Sequence, residues 1–163
     1  MTTNDLIDRL LIISPKAGSM TPEVEKKLRT AFSDYKIVEF DPRADYLGML
    51  APKANVIAAG GDGTIGFRAR ALIDTNHTLG IISLGTYNNF SKALGLPASL
   101  TAAIKVVQKG IPHQIMLGRV NGKPFLAAAA IGISGAAIHP VGGGKARPLR
   151  HPDRQPRRPS RPT

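Results

Sequence analysis

Short, unbroken apolar runs alternate with helical stripes along most of this chain. Residues 10–14 (LLIIS) are apolar up to the last position and are followed by Pro15. A run of that length without polar alternation predicts a strand buried on both faces. Thr21 and Pro22 then predict a helix start, with threonine as N-cap and proline at the first helical position. Val24, Leu28, Ala31 and Phe32 recur at the spacing of one helix face. KIVEF (36–40) predicts a second strand, and residues 44–50 a short helix. NVIAA (55–59) predicts a third strand, running directly into GGDGT. Ile65, Ala69, Leu72 and Ile73 share another helix face, and LGIIS (79–83) predicts a fourth strand. A helix through Phe90, Ala93 and Leu94 is closed by Gly95, with Pro97 beyond. A further one through Leu100, Ala103, Ile104 and Val107 is ended by Gly110 and Pro112. Two extended stretches, 113–120 and 124–131, meet at Asn121–Gly122, a tight-turn pair. Strand followed by helix, four times over, predicts an α/β fold. Its mostly parallel sheet carries helices on both faces, a three-layer arrangement, with an antiparallel addition at the end.

Composition narrows the chemistry. The 163 residues amount to one domain's length, and there is no Cys, which excludes disulfides, thiol catalysis and Cys-ligated zinc. The four His (His77, His113, His139, His151) show no metal-ligand spacing and are read as surface or turn residues. No apolar run approaches the roughly 18 residues that span a bilayer. The opening MTTNDLIDRL lacks the layout of a signal peptide. A soluble, cytoplasmic protein is the expectation.

The net charge of +11 is unevenly placed. Residues 1–144 hold 15 Lys/Arg against 10 Asp/Glu, whereas 145–163 hold 7 against 1, together with 5 of the 13 prolines. Residues 1–144 therefore read as the folded domain and 145–163 as a disordered basic tail. The tail has no aromatic residue on which a base would stack, so no specific nucleic-acid partner is expected. Three readings of it stay open: nonspecific attraction to RNA or anionic lipid, no partner, or translation out of frame beyond about residue 142.

In an open α/β sheet, ligands bind where strands lead into helices at the carboxyl edge. Three loops qualify, 15–19, 60–64 and 85–89, each combining glycine with hydroxyl or amide side chains. Glycine lets backbone N–H groups approach a phosphate, the following helix N-termini favour negative charge, and Lys16 adds a full positive one. The P-loop pattern, ending in GK[ST], is absent. In GGDGT, Gly60, Gly61 and Gly63 are expected to adopt backbone conformations closed to other residues. Asp62 is expected to orient the loop, a Mg²⁺ or a ribose hydroxyl, and Thr64 to cap the next helix or donate to a phosphate.

GGDGT followed by LGIISLGTYNNFSKALGLP (79–97) resembles the catalytic domain of the diacylglycerol kinase family, which includes bacterial lipid kinases and sphingosine kinases. The family pattern reads GGDGT, then G-I-I-P-L-G-T-x-N-x-F-A-x-x-L-G-L-P; Ser83 stands here for the proline and Ser91 for the alanine. SPKAG (14–18) resembles the family's N-P-x-S-G, and LGRVNGKPFLAAAAIGISG (117–135) resembles its later L-G-x-V-N-G segment. The likeness runs over about residues 8–141. GGDGT alone is shared with NAD kinases and phosphofructokinases; the GT-x-N-x-F block separates them from lipid kinases.

The resemblance implies transfer of the γ-phosphoryl group of ATP, with Mg²⁺, to the hydroxyl of a lipid such as diacylglycerol. It also implies transient contact with a membrane surface. By position, Gly60, Gly61, Asp62, Gly63, Thr64, Ile65 and Gly66 would form the nucleotide loop. Gly85 and Thr86 would meet the phosphates, Asn88 would shape the site, and Lys16 is carried over from a loop that matches in part. Gly66 and Phe67 replace the usual Asn-Glu, Met116 the usual Asp, and Ala127 the usual Asn. The family's second, β-rich domain, which carries the catalytic base, has no counterpart in these residues, so the catalytic residue is unassigned and the chain is expected to be an incomplete, nucleotide-binding half. A NAD-kinase-like or sugar-kinase-like phosphotransferase and a noncatalytic nucleotide- or anion-binding fragment are the alternatives. The sequence leaves the oligomeric state open.

Overall fold

The structure, a computed structural model, describes residues 6–126. Strand β1 (Ile7–Ile13) leads through helix α1 (Pro22–Ala31) to strand β2 (Lys36–Glu39). A 3-10 turn (Leu47–Met49) precedes strand β3 (Leu50–Gly60), helix α2 (Asp62–Ala71) and strand β4 (Thr78–Ser83). Helices α3 (Asn89–Ala93) and α4 (Leu100–Lys109) follow, then a hairpin of β5 (Gly118–Val120) and β6 (Lys123–Phe125). Strands β1 to β4 pair in parallel in the order β2-β1-β3-β4.

Side chains alternate across the sheet, so each strand supplies both cores. Leu11, Ile13, Ile57, Ala59 and Ile82 face α1 and α4, where Leu28, Phe32, Ile104 and Val107 cover them. On the opposite face, Leu10, Ile12 and Val56 pack under Tyr46 and Leu50. Beside them Ala58 packs with Ile65 and Ala69 of α2 and Phe90 of α3. Helices thus cover both faces, as the apolar runs predict. Each fully buried aliphatic side chain contributes on the order of 1.5–3 kcal/mol relative to an exposed one.

Thr21, Gly95 and Gly110 bound their helices as the sequence predicts, and Ser99 adds a cap beyond those expected. Thr21 Oγ1 accepts the Val24 amide at 3.2 Å, and Ser99 caps α4 through the Ala102 amide at 3.4 Å. Gly110 ends α4 in the left-handed region (φ +63). Helix α3 closes in a Schellman arrangement: the Leu96 amide donates to the Ser91 carbonyl, and that of Gly95 (φ +66) to Lys92.

Elsewhere the structure differs from the expectations. The helix expected over 44–50 is a single 3-10 turn, and Leu50 already belongs to β3. Strand β3 has eleven residues rather than five, because Lys53 at φ +64 and a register shift opposite β1 carry the pairing across Pro52. Helix α2 stops at Ala71, leaving Ile73 outside it. The hairpin, turning through Asn121 (φ 50) and Gly122 (φ 74), makes its own two-stranded sheet instead of extending the parallel one. Residues 127–131 of the second extended stretch, Ala127, the 144/145 boundary and the basic tail lie outside the described residues.

Candidate functional site

The chain order reverses between β1 and β3: β2 lies on one side of β1, while β3 and β4 lie on the other. Helix α1 leaves on one face of the sheet and α2 on the other. At such a switch point the loops beyond two adjacent strand ends diverge and leave a crevice. The loops here are 15–19 after β1 and 60–64 after β3, and loop 85–89 after β4 closes the far side.

Hydrogen bonds and close approaches knit the three loops into one structure. The Ser19 amide reaches over the end of β3 to the Leu84 carbonyl at 2.8 Å, and the Leu84 amide donates to the Gly60 carbonyl at 2.8 Å. Gly61 lies against Gly85; a Cβ on Gly85 would sit 2.7 Å from the Gly61 Cα and 2.9 Å from Asn88 Oδ1. A Cβ on Gly18 would come within 3.3 Å of the Thr86 hydroxyl. Gly60 is required for a similar reason, since its Cβ would meet Thr64 Cβ at 2.8 Å and Ser14 Cβ at 3.0 Å.

This corrects the reason expected for the GGDGT glycines. Gly60, Gly61 and Gly63 are not among the positive-φ residues, and Gly61 is plainly extended (φ −84, ψ 178). Close packing demands Gly60, whereas a Cβ on Gly61 would make only ordinary contact with Gly85, at 3.4 Å from its Cα. Gly63 is exposed and has open space where a Cβ would be, so it leaves room beside the first turn of α2.

Asp62 has a defined task. Its Oδ2 accepts the Asn89 amide at 3.1 Å and its Oδ1 the Phe90 amide at 3.2 Å. The carboxylate therefore caps α3 from the neighbouring loop, and the α3 N-terminus is not open to an anion as the sequence implied. Asn88 does not cap its own helix. It sits at φ 52 and clasps Gly85, accepting the Gly85 amide at 2.9 Å and donating to its carbonyl at 2.8 Å.

Helix α2 begins inside GGDGT, with Gly61 as N-cap and Asp62, Gly63 and Thr64 as its first turn. The first amides of a helix have no acceptor within it, so those of 62–64 are the backbone donors the helix end presents. Thr64 is buried against Gly60 and does not occupy the capping position. Ile65 is fully buried, and Gly66 lies inside the helix beside the Arg70 guanidinium, so neither brings a side chain to the crevice. Lys16 and Thr86 are exposed on their loops.

Two features were not legible beforehand. Arg68 is only 4% exposed, with its guanidinium carbon 4.5 Å from the Tyr46 ring, 4.6 Å from Phe67 and 5.2 Å from Phe40. Its Nη2 donates to the Asp41 carbonyl at 3.1 Å. Burial pulls its pKa below the ordinary arginine value, opposed by Tyr46 and Asp41. This cage ties α2 to the segment after β2, and Phe67, a departure from the family pattern, is one wall. The second is His77, just before β4, whose Nδ1 accepts the Ala54 amide of β3 at 3.1 Å.

Among the described residues no group of His, Asp or Glu comes together to hold a metal ion. Three carboxylates lie near the carboxyl edge of the sheet: Asp62, the exposed Glu39 that ends β2, and Asp41 beyond it, whose Oδ1 accepts the Arg43 amide at 2.8 Å. No helix of the described residues is long and apolar enough to cross a membrane.

Comparison with known proteins agrees with this geometry. Residues 8–120 match the profile of the diacylglycerol kinase catalytic domain. The chain is 42% identical over 80 residues to a diacylglycerol kinase of Bacillus subtilis, covering 47% of this chain and 26% of that protein. It is 41% identical over 85 residues to a probable YegS-like lipid kinase of Klebsiella pneumoniae, covering 51% and 29%. The crystal structure of a diacylglycerol kinase from Bacillus anthracis superposes with a TM-score of 0.60 at 31% identity, over 74% of this chain and 48% of that one. The chain thus spans under a third of the length of these two curated relatives and about half of the solved structure. The profile match covers most of the chain and contains all three glycine-bearing loops: the protein belongs to the diacylglycerol kinase catalytic-domain family.

Proposed function

We propose that residues 15–19, 60–64 and 85–89 bind the phosphates of MgATP, and that the protein serves transfer of the γ-phosphoryl group to a lipid hydroxyl. The observation that carries this reading is the convergence of the three loops at the switch point of the sheet. The α2 amides, the Thr86 hydroxyl and Lys16 supply donors and positive charge for an anion there. Magnesium enters as part of the nucleotide: the carboxylate at the crevice, Asp62, is engaged by two backbone amides. Phosphoryl transfer depends mainly on positioning and charge stabilisation, so few titratable groups are needed on the nucleotide side.

In the reaction, the lipid hydroxyl oxygen bonds to the γ-phosphorus, the bond to the β-phosphate oxygen breaks and ADP leaves. The hydroxyl proton must pass to a base. Asp62 and Asp41 both hold backbone amides and Glu39 is exposed at the end of β2; none of the three is assigned as that base. Diacylglycerol is the acceptor class named in the relatives, and its use brings the protein into transient contact with a membrane surface. A noncatalytic nucleotide-binding role is the second reading, favoured by the same two engaged carboxylates.

Gly63→Val tests the site without disturbing the packed glycines, because the added side chain enters open space beside the first turn of α2. Calorimetry should show MgATP and MgADP binding to the 163-residue chain, and at least tenfold weaker binding to the variant at an unchanged thermal midpoint. Equal affinities would remove the site. Labelled-ATP assays on diacylglycerol micelles then separate the two readings: phosphatidate formed above background supports the kinase, and binding without turnover supports the second.

A further inference from the structure

Among the aromatic side chains of this protein, Tyr87 is the most exposed, and within the described residues it makes no aromatic pair, cation–π contact or hydrogen bond. The five Phe and three Tyr all lie in that range. Phe32 and Tyr35 meet edge to face; Phe40, Tyr46 and Phe67 surround Arg68. Phe90 is in the core, and the Phe125 ring lies over Gly118. Tyr87 is 66% exposed.

The ring stands on a fixed base. On its C-terminal side, Asn88 is clasped to Gly85, and the Asn89 and Phe90 amides are held by Asp62. On its N-terminal side, Gly85 rests against Gly61, and Thr86 lies beside Gly18. A large exposed ring on a braced loop has two side-chain torsions to order on binding, a small entropic cost for the area it offers. Tyr87 stands on loop 85–89, which borders the proposed phosphate site.

We infer that Tyr87 is the stacking platform for the purine base of the bound nucleotide, and so a residue that sets affinity for nucleotides over simple polyphosphates. The inference rests on the nucleotide reading above. A phosphate chain seated on the glycine loops leaves the base outside them, where it needs a flat apolar partner. Tyr87 supplies one, and base–aromatic stacking requires no further hydrogen-bond complement. The other role for an exposed ring, insertion into a lipid surface, calls for apolar company. Its loop neighbours Gly85, Thr86, Asn88 and Asn89 are small or polar.

The test is calorimetric titration of the full 163-residue chain, its Tyr87→Ala variant and its Tyr87→Phe variant with MgATP and with magnesium tripolyphosphate. Tyr87→Ala should weaken MgATP binding about 5- to 150-fold, the range set by stacking on an aromatic ring. Tripolyphosphate binding should change less than twofold, and Tyr87→Phe should bind both like the parent. Because the residue is 66% exposed, the thermal midpoint should stay within a degree or two in both variants. Equal loss of both ligands in Tyr87→Ala, or loss of neither, overturns the platform while leaving the phosphate site standing. If Tyr87→Ala keeps MgATP but releases the protein from phosphatidylcholine–phosphatidylglycerol vesicles, the ring is a membrane contact and the inference fails. If the parent binds neither MgATP nor tripolyphosphate, the phosphate-site reading fails and the platform with it.

Discussion

Asp62 joins two loops through one carboxylate. A negative charge in a phosphate-binding region looks misplaced from the sequence alone, and the choice among loop, metal and ribose was open. The structure places both oxygens on the first amides of α3, where a charge-assisted bond and the helix dipole act together. Asp62→Ala should lower stability in urea by about 2–3 kcal/mol, as two amides lose an ionised acceptor. Asp62→Asn should cost less, because one amide oxygen remains; equal costs would mean the charge is immaterial. A second residue-scale result is that two departures from the family pattern touch. The Ser83 and Ser91 hydroxyls hydrogen-bond to one another, and Ser91 is buried. A double-mutant cycle with Ser83→Ala and Ser91→Ala should return a coupling of about 0.5–1.5 kcal/mol, with the double variant less damaged than the sum. Additive losses would show that the pair is incidental. The pattern alone could flag each substitution, but only the fold brings positions 83 and 91 together.

At the level of elements, the apolar runs and capping residues made β1, α1, β4 and α4 legible, since burial on two faces and a hydroxyl N-cap are local signals. Strand β3 outruns the expected 55–59 because Pro52 and Lys53 look like a boundary in the sequence. In the structure a bulge with Lys53 at positive φ carries the strand past them. Helix α2 was placed too late because GGDGT reads as a loop, whereas the helix begins at Asp62 with no side-chain cap of its own. The Arg68 cage is not legible in the sequence because arginine ordinarily lies at the surface, and its three aromatic walls come from two separate segments. Arg68→Ala should cost about 2–4 kcal/mol, from lost cation–π contact, lost packing and the bond to the Asp41 carbonyl. Since Arg68 holds α2 from its far end, nucleotide affinity should change little once the variant is folded. Loss below about 0.5 kcal/mol in a urea titration would show that the cage does not stabilise the fold.

The parallel order β2-β1-β3-β4 is what turns three loops distant in sequence into one site. Loop 15–19 precedes loop 85–89 by seventy residues, yet the Ser19 amide bonds the Leu84 carbonyl across the end of β3. That convergence was legible in outline, because alternating strands and helices bring successive carboxyl ends to one edge of the sheet. The packing of Gly61 on Gly85 and the clasp of Asn88 were not, because they depend on contacts between elements. Phosphate binding at this edge is the central claim, and amide chemical-shift mapping reads it most directly. Titrating MgADP into the ¹⁵N-labelled 163-residue chain should shift the amides of 62–64, of Lys16 to Ser19 and of 85–88 together, along one saturating curve. Shifts confined to other regions, or none at millimolar nucleotide, would contradict the account.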